Sequence, residues 1–337
     1  MYKRGTVALL AATLAGAGLA QSGNPGGAIN DGLGFMDYGV CRGVDPKCYH
    51  DWPRAPTSKY RILIYSHTGA SRHANLGKVL PAGLNPPLAP DNVAQREMIR
   101  IAKAQGWDVD YTEDSGEMAS LSGYNAVIFL STSRDALDDT GKTALRQYMR
   151  AGGGFVAIHN AFGTLYNWPY YEGLLGGANF YDHLPAREGD VVIVDNKDAS
   201  TKDLPKRFPF RDEWYNLVPF PTRVRFLATT DESSWATPQP IGTDAATIAA
   251  SMGEKGATLP AALVKPRYPS IVGHHPGHGS FHPVTWCQYY DGGKVWATTL
   301  GHETRAFQKG GMPGADAFQA MLVGGIKSVM GAAPFCR

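Results

Sequence analysis

Gly154-Phe155-Val156-Ala157-Ile158-His159-Asn160-Ala161-Phe162-Gly163 is the stretch from which the fold can be read. A short apolar run stops abruptly at His159-Asn160, the pattern of a parallel strand covered on both faces and ending in a polar turn. Working back from it, Arg61-Ile62-Leu63-Ile64-Tyr65-Ser66, Trp107–Tyr111 and Asn125-Ala126-Val127-Ile128-Phe129-Leu130-Ser131 read the same way. Helical stripes separate them. Asp91 can cap a helix that carries Val93, Ala94, Met98, Ile101 and Ala102 on one side and stops at Gly106. A second begins at about Asp138, presents Leu145, Tyr148 and Met149, and stops at Gly152-Gly153. Strands alternating with helices imply right-handed crossovers and a mostly parallel sheet with helices on both faces, an α/β fold.

Forward of residue 163 the text is less regular. Strands are expected at 191–194, 224–230 and 261–264, with a Ser/Thr/Ala/Gly-rich surface excursion over 231–258. Asp291-Gly292-Gly293 joins Val284–Tyr290 to Lys294–Leu300 as a hairpin. A last helix, about Ala315–Met330, places Phe318, Met321, Leu322, Ile326 and Val329 on one stripe.

The amino terminus has a different character. Lys3 and Arg4, an apolar run from Val7 to Leu14 and the small-residue end Gly18-Leu19-Ala20 have the layout of a secretory signal peptide over 1–20. Residues 21–58 read as an irregular Gly/Pro/Asp-rich arm, and 59–331 as one α/β domain. Cleavage after Ala20 leaves a formally neutral chain, which argues against nucleic-acid or anionic-membrane partners. No later run is long enough to span a bilayer, so a secreted or periplasmic protein is expected. In an exported chain Cys41 and Cys48, bracketing a tight Pro- and Gly-containing segment, are expected to form a disulfide. Cys287 and Cys336 either pair as well or leave Cys287 as a buried thiol.

Ligands of open α/β sheets bind beyond the carboxyl ends of the strands. Three expected strands deliver a histidine there: His67 and His73 after the first, His159 after the fourth, His302 after the hairpin. Imidazole titrates near neutrality and its neutral form ligates zinc, so His67, His159 and His302 are catalytic candidates. His67, His73, His159 and His302 are also the ligand candidates for a divalent metal such as zinc. Glu213, beside Trp214 and Tyr215, is a further acid–base candidate. An apolar pocket would raise its pKa, whereas a surface position would pair it with Arg211 or Arg207. His73, Tyr215, Trp168, Asn160 and His183 are the substrate-binding candidates, the aromatics because sugar rings stack on such faces. The tract His274-His275-Pro276-Gly277-His278 is expected to be mostly solvated loop, with His282 opening a strand.

The strand-end turn at residues 157–161 carries neither Ser nor Cys, so acyl transfer from a nucleophile elbow is excluded, and with it an amidotransferase activity. Five blocks in order nevertheless resemble the ThuA-like (trehalose-utilisation) family: residues 64–73, 154–161, 168–178, Asp212-Glu213-Trp214-Tyr215 and 282–302. The resemblance implies a flavodoxin-type, class I glutamine amidotransferase-like fold. It also implies a role with small carbohydrates, disaccharides or their keto derivatives. Two functions follow as expectations: a sugar-active enzyme using His/Glu acid–base chemistry, with or without a metal, or a carbohydrate-binding or scaffold protein that has lost the nucleophile.

Overall fold

Residues 39–54, 56, 58–236 and 275–337 are described in the computed structural model of the chain. The signal segment 1–20, excursion residues 237–258, the strand expected at 261–264 and His274 lie outside them. In chain order the strands are β1 (Arg42–Gly43), β2 (Arg61–Tyr65), β3 (Asp108–Thr112), β4 (Ala126–Leu130), β5 (Gly154–Ile158), β6 (Phe180–Asp182), β7 (Arg187–Ile193), β8 (Arg207–Asp212), β9 (Asn216–Leu217), β10 (Arg225–Asp231), β11 (His282–Tyr290) and β12 (Gly293–Thr298). The helices are α1 (Val93–Ala104), α2 (Asp139–Arg150), α3 (Pro169–Leu174) and α4 (Ala315–Val329).

The main sheet has the order β3-β2-β4-β5-β12-β11-β10-β7-β8, with β1 added against β11. From β3 to β12 neighbours run parallel, as the apolar runs require. From β12 to β8 they alternate in direction, forming an antiparallel wing. Side-chain alternation splits the core in two. Ile62, Ile64, Ile128, Val156 and Ile158 meet Met98 of α1 and Phe318 and Leu322 of α4 on one face. Leu63, Tyr65, Val127, Phe129 and Phe155 meet Leu145 and Tyr148 of α2 and Tyr171 of α3 on the other. Asp138 caps α2 by accepting from the Gly141 amide at 2.7 Å. Asp91 does not cap α1: Asn92 holds that position and spends its side-chain amide on the Leu76 and Lys78 carbonyls.

Both cysteine pairs are disulfides, Cys41–Cys48 and Cys287–Cys336, with Cα atoms 5.3 and 5.7 Å apart. The first staples the arm beside β1, and the second ties β11 to the carboxyl terminus. Chain-entropy arithmetic ranks them: closing 49 residues is worth about 4 kcal/mol, closing 7 about 2 kcal/mol. Cys287→Ser/Cys336→Ser should therefore lower the melting temperature more than Cys41→Ser/Cys48→Ser. Calorimetry that ranks the two pairs the other way would contradict that account.

Candidate functional site

The site lies beyond the carboxyl ends of β2, β5 and β12, and its floor is His159. Its backbone is left-handed, φ 53°, and the 3₁₀ turn His159–Gly163 starts there directly from the strand. A non-glycine residue held this way costs of order 1 kcal/mol or more and persists only where its surroundings insist on it. Gly301 leaves the room: a Cβ there would sit 3.2 Å from the His159 Cβ. The His159 ring is fully buried, stacked on Tyr215 with centroids 4.6 Å apart. Its Nδ1 lies 2.8 Å from the Thr299 carbonyl, which can only accept, so Nδ1 carries the hydrogen and Nε2 presents a lone pair. The Tyr215 hydroxyl and His73 Nε2 each approach that nitrogen to 3.0 Å.

Glu213 follows the last residue of β8 and faces this floor. Its Oε2 is 3.8 Å from Nε2 of His73, 3.8 Å from Nε2 of His159 and 3.7 Å from Nε2 of His183. Its Oε1 is 3.3 Å from Nε2 of His302. Four histidines from four separate segments thus surround one carboxylate. The loops that supply them are cross-tied. Asn75, in the turn after His73, donates to the Gly301 and His302 carbonyls at 2.9 and 3.1 Å. Arg72 binds the Leu76, Gly77 and Lys78 carbonyls and the Glu113 carboxylate.

The electrostatics separate the two neighbouring acids. Burial alone would raise Glu213, but His73, His183 and His302 hold its carboxyl well below the usual carboxylate range. Neither expected environment holds for it: the apolar pocket is replaced by imidazoles, while Arg211 pairs with Glu303 and Arg207 with Asp190 and Asp231. The raised acid is Asp212. Burial pushes it up to about 7, against the opposing His302 charge and the Gly301 and His302 amides it accepts from. Burial works against a charged His302, yet Glu303, Glu213 and Asp212 lift it to about 9. His73 and His159 move the other way, lowered chiefly by burial despite Glu213. At neutral pH the arrangement offers a charged donor, His302, an anionic carboxylate and two neutral imidazoles. Such separated acidities equip a site for proton transfer in both directions.

Sequence-selected residues divide accordingly. His73, His159, His183, Glu213, Tyr215 and His302 are brought together. His67 is not: its Nδ1 meets the Glu113 carbonyl at 2.7 Å, in a recess lined by Thr68, Leu80 and Glu113. The cause is topological, because β2 has β3 as its outer neighbour and His67 turns to the loop after β3. Trp168 stacks on Tyr170 and Tyr171, with centroids 5.1 and 6.4 Å apart, as part of the aromatic packing around α3. Asn160 is buried in the turn below His159. Asp212 was missed, although the β8 alternation of buried Phe208, Phe210 and Asp212 marks it as inward-facing. The second histidine tract is not the solvated loop expected. His278 Nε2 accepts from the Leu217 amide at 3.0 Å, the His275 amide donates to Asp182, and His282 joins Glu232 to the Tyr215 carbonyl. These atoms brace the strand pair β6–β9 and Tyr215 from behind.

The frame of this site is a mixed sheet whose parallel half ends at a left-handed histidine. The chain belongs to the trehalose-utilisation (ThuA) family, whose profile matches residues 61–328. Among solved structures it is similar to a putative ThuA-like protein from Bacteroides uniformis, at 20% identity, over 82% of this chain and 93% of that one, with a TM-score of 0.55. A putative ThuA-like protein from Parabacteroides merdae is similar at 16% identity, over 81% and 90% of the two chains, with a TM-score of 0.53. No curated protein matches the chain.

Proposed function

We propose that this chain is an exported enzyme that acts on a small sugar, disaccharide or keto-glycoside by acid–base chemistry, with Glu213, His159 and His302 as its proton-handling groups. The observation that carries the reading is the ring of four imidazoles at 3.3–3.8 Å around the Glu213 carboxylate. Titratable groups gathered this closely, with shifted acidities, are a mark of functional sites. His302 and His183 keep side-chain exposures of 30% and 23% while His159 has none, so a ligand meets the first two and is followed inward by the third. The family's description as trehalose utilisation directs the choice of substrates. The test is a turnover assay of purified protein on trehalose, other disaccharides and 3-keto-glycosides, with products resolved by chromatography. Turnover that disappears in a His159 variant supports the enzyme. Saturable sugar binding without turnover supports instead a binding protein that kept the fold and lost the nucleophile.

Export is supported by the layout of residues 1–20 and by the two disulfides, and among the described residues no helix is long and apolar enough to cross a membrane. The mature protein should begin at Gln21, and Cys41 should resist alkylation until reductant is added. Intact-mass analysis of the exported protein checks both, and a chain beginning at Met1 would contradict the signal reading.

A further inference from the structure

The contact between His73 and His159 is a hydrogen bond in only one tautomer of His73. The Thr299 carbonyl keeps the His159 hydrogen on Nδ1, so the Nε2 lone pair faces His73 Nε2 at 3.0 Å. If His73 carries its hydrogen on Nε2 to fill that gap, its Nδ1 is left as a buried lone pair with no hydrogen-bond partner. If the hydrogen sits on Nδ1, that N–H is buried and unpartnered, and two lone pairs meet at 3.0 Å. In either tautomer His73 Nδ1 is unsatisfied, at a cost of about 1–3 kcal/mol, and it stays so when Nε2 binds an ion, so what favours an ion is the convergence of ligand atoms. A carboxylate oxygen, Glu213 Oε2, lies 3.8 Å from both Nε2 atoms. Three lone-pair donors converge, and the hydrogen that reaches them in the second tautomer is that of the Tyr215 hydroxyl, 3.0 Å from His159 Nε2, which can rotate away when that nitrogen binds an ion.

We propose that His73, His159 and Glu213 hold a divalent transition-metal ion of the zinc class. The three ligand atoms lie within 4.8 Å of one another. Ligands at zinc bond lengths around a tetrahedral ion are separated by about 3.3 Å, and the separations here, 3.0, 3.8 and 3.8 Å, straddle that value. Two imidazoles and one carboxylate suit zinc or cobalt better than calcium or magnesium, which take oxygen ligands. The Nδ1–H to Thr299 bond is the outer contact that fixes a metal-binding imidazole in its tautomer. Three protein ligands also leave a coordination position free, as catalytic rather than structural zinc sites do. His183, whose Nδ1 donates to the Leu184 carbonyl at 2.9 Å, turns its own Nε2 toward Glu213 from the side that stays open. The tract at 275–282 is a poor rival, since His278 Nε2 and both ring nitrogens of His282 are already engaged. With the ion bound, His159 and Glu213 act on a substrate through it and His302 remains the group that moves a proton; this refines the acid–base reading and rests on it for what the ion would do, while binding itself is measured without turnover.

The experiment takes the full chain, purified without chelator, through elemental mass spectrometry, then strips it and titrates it with zinc chloride and cobalt chloride. About one ion per chain is expected, with visible cobalt absorption of a low-coordinate site. Zinc affinity should fall in His73→Ala and in Glu213→Gln by more than the 10–100-fold that outer-contact changes cost, and should be retained in His278→Ala. Zinc should raise the melting temperature of the wild type and not of Glu213→Gln, which keeps the test open should His159 variants fold poorly. Stripped protein that takes up no stoichiometric zinc, or His73→Ala and Glu213→Gln proteins that bind as tightly as wild type, overturns the proposal. A stripped protein that turns over a sugar as fast as the loaded one removes the ion from the chemistry and leaves the enzyme reading standing. Zinc bound through these three residues with no turnover of any sugar keeps the ion and removes the enzyme.

Discussion

Glu213→Gln should lower turnover by roughly 10²–10⁴-fold while the protein still folds, because it exchanges one oxygen for an amide without changing size. The carboxylate is the common partner of His73, His159, His183 and His302, and its charge is one of the two that hold His302 protonated most strongly, the other being Glu303. An amide supplies neither that charge nor a second acceptor oxygen. Glu213→Asp separates charge from reach: the carboxylate remains but withdraws by about one C–C bond, roughly 1.5 Å. Its loss should be intermediate, since contacts now at 3.3–3.8 Å are stretched and not abolished. Glu303→Gln removes only the outer partner of His302, 3.7 Å from its Nδ1, and should cost less than Glu213→Gln. The measurement is steady-state turnover with melting temperature recorded in parallel. Near wild-type turnover in Glu213→Gln would show that the carboxylate is a structural counter-ion and nothing more.

The parallel half of the sheet was legible because β2, β4 and β5 are covered on both faces and read as nearly unbroken apolar runs. In the outer wing the end of β7, β10 and the β11–β12 hairpin were legible too, but β8 was not. In β8 the charged and proline residues Arg207, Pro209 and Arg211 alternate with buried Phe208, Phe210 and Asp212, and a run so mixed does not announce itself as a strand. Reading that strand would also have found Asp212, the acid whose pKa burial raises to about 7. Strand-end position brought His159 and His302 to one edge, since the register that sets β5 beside β12 also sets their ends side by side. The same rule misdirected His67, because it takes no account of which neighbour a strand has. The state of Glu213 was out of reach for local reading of any kind: His73 is 140 residues before it and His302 is 89 after it. Pairings so distant in sequence are made by topology, and the residues adjoining Glu213 in the chain, Trp214 and Tyr215, suggested an apolar setting that the folded protein does not provide.

Replacement of His159 should abolish activity in every case, by 10²–10⁴-fold or more, but the size of the stability loss should depend on backbone and not on side-chain size. Alanine removes the ring and leaves the Thr299 carbonyl and the Tyr215 hydroxyl without their partner in a fully buried place. Each unsatisfied group costs about 1–3 kcal/mol, so His159→Ala should melt well below wild type. Alanine also inherits φ 53°, a left-handed conformation that penalises a Cβ by about 1–2 kcal/mol. Glycine loses the same hydrogen bonds but not that penalty, so His159→Gly should be at least as stable as His159→Ala although it buries one carbon fewer. Asparagine tolerates the left-handed region and brings a short polar group toward Thr299, and should be the least destabilised of the three. Activity would not return with it, because its amide reaches neither His73 nor Glu213 as the ring does. Thermal denaturation ranked asparagine, glycine, alanine from most to least stable, with all three inactive, is the expected outcome. An alanine variant more stable than the glycine one would deny the strained backbone, and a variant active at near wild-type rate would remove His159 from the chemistry.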